Sequence, residues 1–77
     1  MNDYHKATLD KKKSSYKIRN AIIDSRYTID EISINLELKT SRVIYEWMNG
    51  NKFPNIENLL NLSLMLNVKM EDLIAWR

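Results

Sequence analysis

Between Thr40 and Gly50 the chain brings a hydroxyl (Ser41), a guanidinium (Arg42) and a carboxylate (Glu46) onto the first, second and sixth positions of one short helix. Small polar and basic side chains on one helix face suit reading the edges of DNA bases. There a helix enters the major groove and short side chains meet donors and acceptors. Arg42 carries the fork that grips a guanine bidentately; Glu46 can accept from a cytosine amino group or orient Arg42. A good bidentate pair discriminates between bases by roughly 1–3 kcal/mol. On spacing alone, a solvated helix face explains the same residues equally well.

Nothing else in the chain offers competing chemistry. His5 is the only histidine, cysteine is absent, and there is no glycine-rich phosphate loop. The carboxylates fall on solvated faces or at helix starts, where they serve as caps. No catalytic residue, cofactor or metal site is therefore expected, and the chain does not read as an enzyme.

The elements that must position this face follow from apolar spacing. A first helix is expected from Ser14 or Ser15 to about Ser25, with Ile18, Ala21 and Ile22 inward at i, i+3, i+4. Thr28-Ile29-Asp30-Glu31 is a capping-box pattern, so a second helix runs from Ile29 to about Glu37, burying Ile29, Ile32 and Leu36 and exposing Ile34. After a Glu37-Leu38-Lys39 turn, Thr40 caps a third helix from Ser41 to about Met48, with Ile44 and Trp47 inward. Asn49-Gly50 ends it. Phe53-Pro54 imposes an extended step before Asn55 caps a fourth helix, Ile56 to Leu66. A short fifth, from Met70 to about Trp76, is expected beyond Asn67.

Bulk properties agree with an all-α domain. One glycine and one proline in 77 residues leave too little turn chemistry for a hairpin-rich fold. A chain this short buries only about 60% of its unfolded surface, so it needs well-packed helices or a second copy. No run approaches the length of a membrane span, and the N-terminus lacks an apolar signal core, so a cytoplasmic location is expected. Abundant Asn, Ile, Lys and Tyr, with AT-rich codons, hint at a low-GC bacterium or its mobile elements. Charge is unevenly spread: residues 1–19 net +4, residues 20–77 net −2. Residues 1–13, ending in Lys11-Lys12-Lys13, are expected to be a flexible basic arm, or a helix extension that forms only on contact; the lysines could follow the DNA backbone or enter the minor groove, a solvated tail being the rival reading. Residues 14–77 form the domain. Within it residues 20–37 net −3 and residues 38–52 net +2, so the local patch has the sign that phosphates require.

From Thr28 to Leu73 the chain resembles the phage-repressor (Cro/Xre-type) helix-turn-helix family. The matching elements are Thr28 opening the second helix, Ile32 and Leu36 within it, then Ile44, Trp47, Asn49 and Gly50. Pro54 follows, then Leu59, Leu62, Ser63, Leu66 and Val68, then Glu71, Asp72 and Leu73. The chain departs from the family pattern in four ways. Ile29 stands where a phosphate-holding Gln is usual, and Glu37 where the turn usually has Gly. The segment from Leu36 to Ile44 is one residue longer than the commonest version. Ile22 and Met48 replace an Arg and Glu that typically pair. The longer turn is expected to spare Glu37 a left-handed conformation, and Ile22 and Met48 are expected to touch.

The resemblance implies a compact five-helix lambda-repressor-like domain that binds specific duplex DNA. It also implies a transcriptional repressor from a phage or mobile element. It places Ser41, Arg42 and Glu46 against bases with Thr40 and Tyr45 beside them, and Thr28, Lys39, Asn49, Asn51 and Lys52 against phosphates. The wide apolar face of the fourth helix, with Leu73, Ile74 and Trp76, implies a homodimer, a larger core being the rival. A protein-interaction module on the same fold, such as an antitoxin or anti-regulator with a protein partner, is the alternative.

Overall fold

The computed structural model describes residues 3–77; residues 1 and 2, the start of the expected arm, lie outside the described residues. Four α-helices are present among these residues: α1 (Lys11–Asp24), α2 (Ile29–Asn35), α3 (Arg42–Asn49) and α4 (Ile56–Leu66). A single 3-10 turn, Met70–Leu73, follows. The all-α expectation holds, but the fifth helix does not form.

Its place is taken by a strand-like clasp between the two ends of the described chain. Ile74 is extended (φ −122°, ψ 137°), and Leu9 pairs with Trp76 in an isolated antiparallel bridge. Thr8 and Arg77 exchange N–H···O bonds of 3.0 and 2.9 Å, and the Asp10 N–H donates to the Ala75 carbonyl at 2.9 Å. The Ser14 hydroxyl accepts from the Ala75 N–H at 2.8 Å and donates to the Ala75 carbonyl at 3.2 Å. Helix formation would require these backbone groups to bond locally; here residues some sixty positions away in sequence satisfy them.

The same clasp moves the start of α1. Asp10, in an extended conformation, accepts from the Lys13 N–H at 3.0 Å and so caps the helix. Lys11, Lys12 and Lys13 form the first turn of α1, where the helix extension allowed for residues 1–13 would place them.

Eight apolar side chains make the core: Ile18 and Ile22 from α1, Ile32 from α2, Ile44 and Trp47 from α3, Leu59 and Leu62 from α4, and Leu73. Ala21, Ile29, Leu36 and Met48 pack around them half-buried. Met48 packs half-buried against the apolar cluster that contains Ile22. Ile34 stands out in solvent. Buried serines are satisfied within their own helices: Ser15, Ser33 and Ser63 each donate to the carbonyl three residues back, at 2.6, 2.9 and 2.6 Å. Among the described residues no buried side-chain nitrogen or oxygen lacks a partner.

Three helices end in the same way. Beyond α2, Glu37 takes φ 56° so that the Leu38 N–H reaches the Ser33 carbonyl (2.9 Å) and its own N–H the Ile34 carbonyl (3.1 Å). Beyond α3, Gly50 (φ 79°) lets the Asn51 N–H reach the Glu46 carbonyl at 3.1 Å. Beyond α4, Asn67 (φ 56°) lets the Val68 N–H reach the Ser63 carbonyl at 3.0 Å. All three satisfy carbonyls that a helix end otherwise leaves open. The expectation that the longer turn spares Glu37 is thus overturned: the α2 closure needs a left-handed residue there. It also cuts α2 short at Asn35 rather than Glu37.

Left-handed backbone costs a residue with a Cβ about 1 kcal/mol or more. Glu37→Gly should therefore raise unfolding stability by about 1 kcal/mol, a gain of several degrees in Tm for a domain of this size. Gly50→Ala should lose at least that much, since the new Cβ would also lie 3.3 Å from Ser15 Oγ. Urea or thermal unfolding followed by circular dichroism checks both.

Candidate nucleic-acid interface

The position of α3 is set from behind and at both ends. Ile44 and Trp47 anchor it in the core. α3 starts one residue later than expected, at Arg42: Ser41 stands at the cap position with helical dihedrals (φ −71°, ψ −13°), and its carbonyl accepts from the Ile44 and Tyr45 N–H groups at 3.0 and 3.4 Å. Ser41 makes no side-chain capping bond; the Thr40 hydroxyl, one residue earlier, accepts from the Arg42 N–H at 3.1 Å. At the far end Gly50 lies against α1: a Cβ placed on it would be 3.6 Å from Lys12 Cα.

This leaves one edge of α3 open. Arg42 and Tyr45 are exposed, with Ser41 and Glu46 half-buried beside them and Thr40 exposed above. Arg42 makes no side-chain hydrogen bond or ion pair among the described residues, so its guanidinium is available to a partner. Glu46 is directed elsewhere. Its carboxylate is 3.9 Å from Lys52 Nζ, so it does not orient Arg42. A pair this exposed and this long contributes well under about 1 kcal/mol, and either member can turn to another partner.

Around this edge Lys39, Asn49, Asn51 and Lys52 are all exposed. Thr28 is more committed. Its hydroxyl accepts from the Glu31 N–H at 3.1 Å and its own N–H donates to Glu31 Oε1 at 2.8 Å. Only the hydroxyl hydrogen of Thr28 remains to donate to a phosphate, and the Glu31 carboxylate occupies the positive end of α2.

Lys11, Lys12 and Lys13, read from the sequence as an arm or as a helix extension that forms only on contact, occupy the first turn of α1. The contact between Gly50 and Lys12 seats their helical turn beside Asn49, Asn51 and Lys52. A local signal existed in Asp10, which stands three residues before Lys13 as a cap does. It was hidden by the lack of apolar period in the lysine run.

The two adjacent hydroxyls at the start of α3 differ in a way that stability measurements can separate. Thr40→Ala should cost about 1 kcal/mol through the lost hydroxyl bond to the Arg42 N–H. Ser41→Ala should be neutral within about 0.5 kcal/mol. Equal effects in urea unfolding would contradict this assignment.

Comparison with protein-family models, with curated proteins and with solved structures finds no match to this chain, so its functional reading rests on this geometry.

Proposed function

We propose that the chain is a sequence-specific duplex-DNA-binding transcriptional regulator built on a lambda-repressor-like helix-turn-helix domain. On this reading it is a repressor from a phage or mobile element, acting in the bacterial cytoplasm. The observation that carries the reading is the open edge of α3, with an unpaired Arg42 at its centre and Ile44 and Trp47 fixing the helix from the opposite side. In the major groove Arg42 would donate two hydrogen bonds to guanine, and Glu46 would release Lys52 to accept from a cytosine amino group. Ser41, Thr40 and Tyr45 would complete the base contacts. Lys39, Asn49, Asn51 and Lys52 would set the register on the phosphates, with Thr28 contributing one donor. Occupying a promoter in this way excludes polymerase without any further chemistry.

A twofold dimer belongs to the same reading. Ile56, Leu60 and Leu64 stand exposed at i, i+4, i+8 on α4, a stripe with no charge on it. An uncharged stripe is self-complementary, as an isologous contact needs, and a dimer would set two copies of α3 about one DNA turn apart. The exposure of Leu60, Leu64 and Trp76 also favours a second reading, an antitoxin-like module that uses this surface to hold a different protein. Co-purification with a neighbouring gene product, indifferent to Arg42→Ala, would support that alternative.

The decisive experiment is a mobility shift with DNA from upstream of the chain's own gene. Wild type should retard a discrete fragment at low salt, and Arg42→Ala should weaken binding by roughly 10- to 100-fold, the loss of one bidentate contact. No retardation by wild type would overturn the assignment. Sedimentation equilibrium should show a dimer that Leu64→Glu converts to monomer, with weaker retardation in parallel; a monomeric wild type would remove the dimer from the proposal.

A further inference from the structure

The C-terminal ends of α1 and α4 line one cleft of about 480 Å³ that shares no residue with the open edge of α3. Its walls include Asp24 from the end of α1, Arg26 and Tyr27 from the loop that follows, Glu31 from α2, and Met65 and Asn67 from the end of α4. That volume lies within the range of small-molecule sites, roughly 300–1,000 Å³.

The electrostatics of the cleft are one-sided. A helix C-terminus carries about half a negative charge. Two of them share this cleft, and neither α1 nor α4 has a basic side chain in its last turn. The Met65 and Leu66 carbonyls accept no hydrogen bond among the described residues. Asp24 adds a full negative charge at the last position of α1, where the helix dipole disfavours it. Its carboxylate makes no hydrogen bond or ion pair among the described residues, although the Arg26 guanidinium lines the same cleft. Glu31 uses Oε1 to accept from the Thr28 N–H at 2.8 Å, which leaves its second oxygen open. An uncompensated charge at the wrong end of a helix weakens the fold and is the kind of local violation that functional sites carry.

From this convergence we infer that the cleft binds a small organic ammonium ion, a primary amine with a short apolar body. The ammonium head donates to the Asp24 carboxylate and to the open oxygen of Glu31. The body lies against the Tyr27 ring and the Met65 thioether, both of which suit an apolar group beneath a positive charge. The bound cation supplies the compensation that Asp24 and the two helix ends lack in the free protein. This site stands independently of the duplex-DNA reading.

An amide NMR titration tests it, with phenethylamine as the probe and phenylpropionate, the same ring with a carboxylate head, as the control. At neutral pH the amine should shift the Asp24, Tyr27 and Asn67 amides saturably at millimolar concentration, and the carboxylate should not. The variant D24N/E31Q removes both charges, while glutamine keeps the capping box with Thr28. It should weaken the amine by roughly 2- to 30-fold, the loss of two exposed charge contacts. Asp24→Asn alone should melt at a higher temperature than wild type without ligand.

No saturable shift with the amine, or equal shifts with both probes, would overturn the site. So would an unchanged affinity in a D24N/E31Q variant whose spectrum shows it folded. A melting temperature for Asp24→Asn at or below that of wild type would overturn its electrostatic basis. Each of these results leaves the α3 edge untouched.

Discussion

The burial of Ile44 and Trp47 is the constraint on which the rest of the structure depends. A helix of eight residues is too short to persist alone in water, so α3 exists because its apolar face is sunk among Ile18, Ile22, Ile32, Leu59, Leu62 and Leu73. Helical geometry then dictates what remains. With the third and sixth residues of the assigned helix turned inward, Arg42 and Tyr45 must turn out. The open edge follows directly from the anchoring, and no side chain could be moved to the core without rotating Arg42 out of place.

Closing so small a core demands helix ends as much as helix faces. Residues at Glu37, Gly50 and Asn67 all take left-handed backbone to return the chain at once. Two of these residue types adopt that conformation readily; glutamate does not. Glu37 tolerates it because the closure satisfies two carbonyls of α2 and delivers Leu38 to the core, gains that together exceed a strain of about 1 kcal/mol. Glycine at position 50 has a further role, since it lets α1 approach within van der Waals contact of the end of α3.

Much of this was legible in the sequence, and the boundary between what was and was not is physical. The helices read correctly where their signals are local: the capping box from Thr28 to Glu31, the cap at Asn55, and the inward spacing of Ile18, Ile22, Ile32, Ile44 and Trp47. Which residues stand on the open edge of α3 followed from the same spacing. Three features escaped because partners distant in sequence decide them. The pairing of Thr8 and Asp10 with Arg77 and Ala75 replaces a fifth helix that Leu73, Ile74 and Trp76 alone would suggest. The start of α1 at Lys11 combines the local Asp10 cap with backbone pairing of Asp10 to Ala75, and only the second was illegible in the sequence. The direction of the Glu46 carboxylate depends on where the loop after Gly50 brings Lys52.

A net charge of only +2 looks too small for a protein proposed to bind a polyanion, yet its distribution makes it suitable. Non-specific attraction scales with the number of phosphates neutralised, and a uniformly basic domain would bind duplex DNA in any orientation. Here Lys11, Lys12 and Lys13 lie near Gly50, where α1 approaches the end of α3 next to Lys52, and Arg42 stands on the exposed edge of α3. Residues 20–37, net −3, carry the acidic groups of α2 and the loops on either side of it. On the proposed reading, this uneven distribution would favour approach with the α3 edge toward the phosphates, and the small net charge would weaken binding in other orientations.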